Sequence, residues 1–310
     1  MSSQRTGSLP STDQSPRMLA AGDYEAVFLP AQGMLGASLR YRDIEVLRHI
    51  EDLELSDAKG SAAGIPLLYP WANRLDGFRY SAAGKTVQLD RASRLLHFDQ
   101  NGLPIHGVPW ARLAWSVAQA TDAILVAYLD WDAPELLDIY PFRHRVVMKV
   151  MLDGTGLTIK TTVIAGSETP VPISFGFHPY IGLPHPREKW RLTLPTMRRL
   201  TLDPHQIPTG NEEIFDGFND ELGEYEFDDG FALATDRAMF SIACAGCRIN
   251  TELLSGYRFV QIYAPENQSC MAVEPMTAPT NALASGKGLQ VIPAKDSYYT
   301  AFRIAVASWQ

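Results

Sequence analysis

His178 and Glu274 are the residues of this chain whose types and settings best suit proton transfer. His178 lies in Phe175-Gly176-Phe177-His178-Pro179-Tyr180, between aromatic side chains. Pro179 steers the preceding histidine away from helical backbone. An imidazole on an extended, aromatic-lined segment is suited to giving a proton to a flat, partly apolar ligand. Glu274 ends the apolar run of Met271-Ala272-Val273-Glu274-Pro275-Met276-Thr277, where few polar neighbours are at hand. If buried, such a carboxyl must find a hydrogen-bond partner or raise its pKa, and a pKa raised towards neutrality suits a general base. Each also has a plainer reading, as a packed histidine and as a strand-end glutamate turned to solvent.

Further groups could serve the same chemistry. His106 stands between Ile105 and Gly107, just after Pro104, so a ligand can approach closely on the side that has no side chain. Asn73-Arg74 closes a Pro-rich apolar loop that begins at Ile65, and its guanidinium fork can bind hydroxyls or a carboxylate; pairing with a surface acid such as Asp76 is the alternative. Asp228, with Asp229 beside it, offers carboxylates to hydroxyls, although Asp-Gly before a strand is also ordinary turn chemistry. Trp71, Phe177 and Tyr180 could stack on an apolar ligand face, and His97 reads as structural. His106, His178 and Glu274 could also be a metal triad of two histidines and a carboxylate, but no ligand pair is closely spaced.

The elements that must position these groups are strands. Arg143–Leu152 alternates, with Val146, Met148, Val150 and Leu152 on one face; the turn 153–156 follows, and Leu157–Ile164 returns as a β-branched run. Strands are also expected at Tyr24–Leu29, Ser38–Leu47, Trp115–Gln119, Ile124–Asp130, Trp190–Leu194, Phe231–Ala234, Met239–Ala243 and Arg248–Leu253. Tyr257–Tyr263, Met271–Glu274 and Tyr299–Ala305 complete the set. Helical periodicity is confined to a turn or two at Pro134–Ile139, and Asp43–Leu55 is readable either way. Without strands alternating with amphipathic helices, a parallel α/β fold is unfavoured. The expectation is all-β: one large antiparallel β-sandwich over residues 18–310, preceded by a disordered tail at residues 1–17 that is rich in Ser, Thr, Gln and Pro.

With 310 residues, 46% of them hydrophobic and 20% charged, there is ample material for a core. The net charge of −8, with no block of Lys and Arg, argues against a nucleic-acid partner. No apolar run is long enough to span a membrane or to act as a secretion signal. Cys244, Cys247 and Cys270 are an odd count that fits a reducing, cytoplasmic setting. Cys244-Ala-Gly-Cys247 lacks the companions of a zinc or redox site, so these thiols are expected to be structural.

Taken in order, Asn73-Arg74, His106-Gly107, Phe177-His178-Pro179-Tyr180, Asp228 and Val273-Glu274-Pro275 resemble the aldose 1-epimerase (galactose mutarotase-like) family, from about Gly22 to the C-terminus. The resemblance implies a large antiparallel β-sandwich and a mutarotase that interconverts the anomers of a free hexose such as galactose or glucose. It further implies Glu274 as the base at the C1 hydroxyl and His178 as the acid at the ring oxygen. His106 would be a second active-site histidine, and Arg74 and Asp228 would orient hydroxyls. No cofactor or metal is needed. The implied partner is a monosaccharide, bound by a monomer or homodimer. Arg74, Arg79 and Arg112 keep a hexose 6-phosphate in view, although no basic cluster directly follows His106-Gly107, and a sugar-binding module without turnover is the rival of another class.

Overall fold

The computed structural model describes residues 15–48, 63–183, 185–266 and 268–308. Its centre is two antiparallel sheets. The larger has nine strands, in the spatial order Phe218–Glu221, Arg191–Leu194, Ala238–Cys244, Cys247–Ser255, Ser297–Ser308, Gly156–Ala165, His144–Asp153, Ile124–Trp131, Ser116–Ala120. The other has eight, in the order Pro208–Phe215, Met197–Leu202, Phe227–Ala232, Phe259–Ala264, Met271–Met276, Gly176–Phe177 and Leu67–Leu68, with Tyr180–Ile181 pairing onto Met271–Met276 as a branch. A four-stranded sheet from Arg17–Ala21 to Ile44–Glu45 lies against the Ile124–Trp131 and His144–Asp153 strands of the larger sheet. Among the described residues, α-helix is confined to Pro134–Ile139 and Ala282–Ser285.

Alternation builds the core. Val146, Met148, Val150 and Leu152 are buried on one face of their strand, and their register partners across the hairpin include Val163 and Ile159. The facing sheet contributes Phe177, Val260, Ile262 and Val273 to the same apolar cluster. Phe177 meets Phe302 of the nine-stranded sheet at 5.1 Å between ring centroids, an offset aromatic contact that adds to its area burial. Residues one step along those strands face the other way. Met276, Phe259 and Leu68 form a separate small cluster there, and Glu274 shares their side.

Several expectations are corrected. Ser38–Leu47 is not a single strand: Leu35–Tyr41 and Ile44–Glu45 pair with each other around a tight turn in which Arg42 takes φ 54°. The strand expected at Phe231–Ala234 is Phe227–Ala232, so Asp228-Asp229-Gly230, for which a turn was the alternative reading, lies inside it in unbroken register with Phe259–Ala264. Arg17, expected in the tail, begins a strand paired with Phe28; the tail reading for residues 1–14 and most of Asp43–Leu55 lie outside the described residues. The Cys244–Cys247 stretch is a hairpin turn, with Ala245 and Gly246 at positive φ and the cysteines opposite each other as free thiols.

Candidate active site

Glu274 and His178 come together through strand register. Glu274 lies opposite Gln261, and in the next row on the same face Asp228, Tyr263 and Ala272 stand side by side, because directly paired residues share a face. His178 follows Gly176–Phe177, whose Gly176 pairs with Met276, and its amide donates to the Pro66 carbonyl at 3.1 Å. Tyr180 then pairs with Ala272. This double attachment to Met271–Met276 sets His178 Nε2 3.1 Å from Glu274 Oε1, with the side chains 8% and 3% exposed. Glu274 Oε2 is buried without a hydrogen-bond partner.

Both members are driven towards neutrality. Burial raises the Glu274 pKa well above the usual carboxylate range; the charge of Asp228 adds to this, and the Arg74 guanidinium opposes it. Burial lowers His178 to about 3, its own carbonyl working the other way. At hydrogen-bond distance the two could form a salt bridge, but desolvation penalises both charges. The resting contact is therefore one proton held between a carboxyl and an imidazole. Because that proton belongs to the pair, its titration does too.

His106 forms the next wall, its ring 5.9 Å from that of His178 and at 81° to it. Its Nδ1 accepts from the Asn73 amide at 3.1 Å, while its own amide donates to the Asn73 carbonyl at 3.0 Å. Both residues sit at positive φ, 58° and 60°, a region non-glycine residues seldom occupy and one that clusters at functional sites. Burial first, then His178, His97 and Arg74, lower the His106 pKa well below the imidazole norm. With Nδ1 accepting, the neutral ring carries its proton on Nε2. Gly107 has no alternative: at φ 66°, a Cβ there would lie 2.2 Å from the Tyr69 carbonyl oxygen.

Arg74 does not pair with Asp76. Its Nε donates to Asp99 at 2.7 Å and its Nη1 to the Asn73 carboxamide oxygen at 3.1 Å. Asn73 thereby braces Arg74, and any contact of its side chain to a ligand falls to its NH2 group. Asp228 accepts from Gln261 Nε2 at 2.7 Å and faces Glu274, whereas Asp229 points to the other side of the strand, towards Arg199 at 3.5 Å. Register thus separates two neighbours that spacing could not.

The expected stacking residues are placed differently. Trp71 is fully buried and packs on Tyr80 at 6.4 Å, and Phe177 is turned into the core, so neither ring has a face open to a ligand. Tyr180 spends a ring face on His178, stacked at 3.9 Å and 12°, with its hydroxyl 3.0 Å from Nε2. His97 lies nearer the site than expected, edge-on to His106 at 6.2 Å. Arg79 and Arg112 are exposed. No group of three His, Cys, Asp or Glu side chains among the described residues is arranged to hold a metal ion.

Sequence reasoning missed Asp99, Gln261 and Tyr263. The last two were within reach: in Val260-Gln261-Ile262-Tyr263, aliphatic Val260 and Ile262 alternate with Gln261 and Tyr263, which puts the latter two together on the opposite face. Tyr263 meets His178 edge-on at 5.7 Å. Asp99 carries only a turn signal; its carboxylate accepts from the amides of Asn101 and Leu103 while holding Arg74.

A large antiparallel sandwich with an imidazole–carboxyl pair on the outward face of one sheet defines a galactose mutarotase-like protein. The chain belongs to the aldose 1-epimerase family, whose model matches residues 27–304. It is similar to YihR of Escherichia coli K12, 25% identical over 297 residues, with 92% of this chain and 91% of YihR covered. Among solved structures it resembles a galactose mutarotase-like protein from Clostridium acetobutylicum, with TM-score 0.83, 19% identity, and 94% and 95% of the two chains covered. It also resembles a galactose 1-epimerase from Lactobacillus acidophilus, with TM-score 0.73, 12% identity, and coverage of 94% and 93%.

Proposed function

We propose that the protein is a cofactor-free mutarotase acting on a free aldose such as glucose or galactose. The observation that carries this reading is the buried contact of 3.1 Å between His178 Nε2 and Glu274 Oε1. Mutarotation needs a proton removed from the C1 hydroxyl and another delivered to the ring oxygen, and these two oxygens share one carbon. A neighbouring base and acid reach both.

In the working direction the pair begins as carboxylate and imidazolium. Glu274 takes the C1 hydroxyl proton, His178 gives its proton to the ring oxygen, and the C1–O bond opens to the aldehyde. The pair is now carboxylic acid and neutral imidazole, the form that burial favours. Raising Glu274 and lowering His178 therefore strengthens the base and the acid for the opening step. After rotation about C1–C2 the protons run back and the ring closes with the opposite anomeric configuration. His106 Nε2–H, Arg74 and Asp228 orient the sugar's oxygens. The commitment of Arg74 to Asp99, with Arg79 and Arg112 exposed, favours an unphosphorylated substrate.

Polarimetry on freshly dissolved α-glucose and α-galactose tests this. Wild type is expected to speed relaxation, and His178→Ala and Glu274→Ala to lose about 10²–10⁴-fold of that rate. If all three leave every sugar at its solvent rate, across free aldoses and phosphosugars alike, the enzyme reading fails. Calorimetric sugar binding without anomer exchange would instead make the chain a binding module.

A further inference from the structure

Asp99 closes the turn that leads into His106. Its amide donates to the Leu103 carbonyl at 2.9 Å, and its Oδ1 accepts from the amides of Asn101 at 2.8 Å and Leu103 at 2.9 Å. Past that turn Ile105 bridges to Arg74 through the main chain, so the arginine and the turn lie together. The second carboxylate oxygen, Oδ2, takes Arg74 Nε at 2.7 Å, with the arginine and aspartate side chains 12% and 4% exposed. Burial works to raise the Asp99 pKa, but the hydrogen bonds from Leu103, Arg74 and Asn101 outweigh it and hold the carboxyl below its usual value. Asp99 is thus a fixed charge with both oxygens in use.

This contact sets the charge that a ligand meets. The Arg74 guanidinium is close enough to act on both Glu274 and His106, so without Asp99 the site would hold an unopposed cation. With it, Arg74 and Asp99 cancel, the His178–Glu274 pair is neutral overall in either of its one-proton forms, and the carboxylate of Asp228 is left over. Arg48, a further cation nearby, acts on Tyr180 and Tyr263 and gives Nη1 to Gln268 at 2.7 Å. An arginine grips a phosphate or carboxylate best with two parallel N–H donors, and on Arg74 the side that carries Nε is spent. Resting on the mutarotase reading, we propose that Asp99 is a specificity-determining residue: by neutralising Arg74 and occupying its Nε, it makes the arginine a reader of uncharged sugar hydroxyls and closes the site to sugars that carry an anionic substituent. The selection then resides in the turn before His106 and not in the strands that carry the acid and the base.

Asp99→Asn keeps the shape of the side chain, and its one oxygen can still serve the two amides of the turn, so Arg74 recovers both its charge and its Nε. Calorimetry with glucose 6-phosphate is expected to show binding about 10- to 100-fold tighter than in wild type, the worth of one charge-assisted hydrogen bond. The double variant Asp99→Asn with Arg74→Gln should lose that gain. A folded Asp99→Asn protein without the gain would overturn the proposal, as would a gain that survives in the double variant. Wild type that binds glucose 6-phosphate as tightly as glucose would overturn it too, and this measurement needs no variant to fold. All three are read without turnover, so they still decide the role of Asp99 if wild type proves inactive on every sugar, an outcome that would sink the mutarotase reading separately.

Discussion

Asn73 and His106 hold each other at both ends of their peptide groups: the Asn73 amide donates to His106 Nδ1 at 3.1 Å, and the His106 amide donates to the Asn73 carbonyl at 3.0 Å. The exchange fixes the tautomer of His106 and binds two left-handed residues into one rigid corner. It makes the histidine a neutral donor beside an acid–base pair, and several consequences can be measured.

His106→Phe keeps a ring of similar size but loses the Nε2–H. If that group polarises a sugar oxygen, kcat/KM falls by about 10²–10³-fold, as when a single preorganised donor is removed. The factor should be the same from about pH 5 to pH 9, because a neutral donor held well below its usual pKa does not titrate there. A loss that appears or vanishes near pH 6.5 would mean that His106 works as a cation.

The rate profile of wild type should be broad. The working pair carries a single proton, so activity falls on the acid side when the pair gains a second proton and on the alkaline side when it loses its last. With His178 lowered to about 3 and Glu274 raised, the acid limb of kcat/KM lies well below the ordinary imidazole range. Polarimetric rates corrected for solvent catalysis check this; an acid limb at 6 to 7, typical of an exposed imidazole, would contradict it.

Asp228 and Asp229 should separate cleanly. The charge of Asp228 is one cause of the raised Glu274 pKa, so Asp228→Asn should move the alkaline limb to lower pH and also raise KM through the lost hydroxyl contact. Asp229→Asn, on the opposite face and paired with Arg199, should leave both unchanged. Equal effects would place the boundary between faces wrongly.

Stability should fall on mild acidification. His144, enclosed by Trp131, Tyr140 and Tyr69, is lowered by burial from 6.5 to about 4. Between those values the unfolded chain takes up a proton that the folded chain refuses, so unfolding gains ground as pH drops, by up to about 1.4 kcal/mol per pH unit for this imidazole. Urea titrations at pH 7 and pH 5 read it directly. The drop should shrink in His144→Gln, and an equal drop in that variant would show that His144 accepts a proton in place.

Much of this was legible beforehand, for definite reasons. Glu274 and His178 stood out because each interrupts an apolar run, and a polar group there needs a partner. The hairpin from His144 to Ala165 was written in period-two alternation and a Gly-containing turn. Pro208–Phe215 was not: it is an edge strand exposed along most of its length, so its Gly, Asn and Glu residues carry no buried face to betray it. Trp71 misled because aromatic residues near a polar motif suit a core as well as a ligand, and only packing on Tyr80 decides between them. The link between Arg74 and Asp99 joins residues 25 positions apart across loops, where no periodicity exists to read.

The last described strand in the sequence, Ser297–Ser308, lies in the middle of the nine-stranded sheet, between Cys247–Ser255 and Gly156–Ala165. A growing chain therefore reaches this point as two half-sheets, each with a raw edge and with the aromatic seat for Phe177 still missing. Insertion of Phe302 and its neighbours seals both edges at once. Assembly of the sheet that backs the proposed catalytic face is thus tied to the emergence of Ser297–Ser308, and a chain cut short before that strand would carry every proposed reactive side chain and no backing to hold them in register.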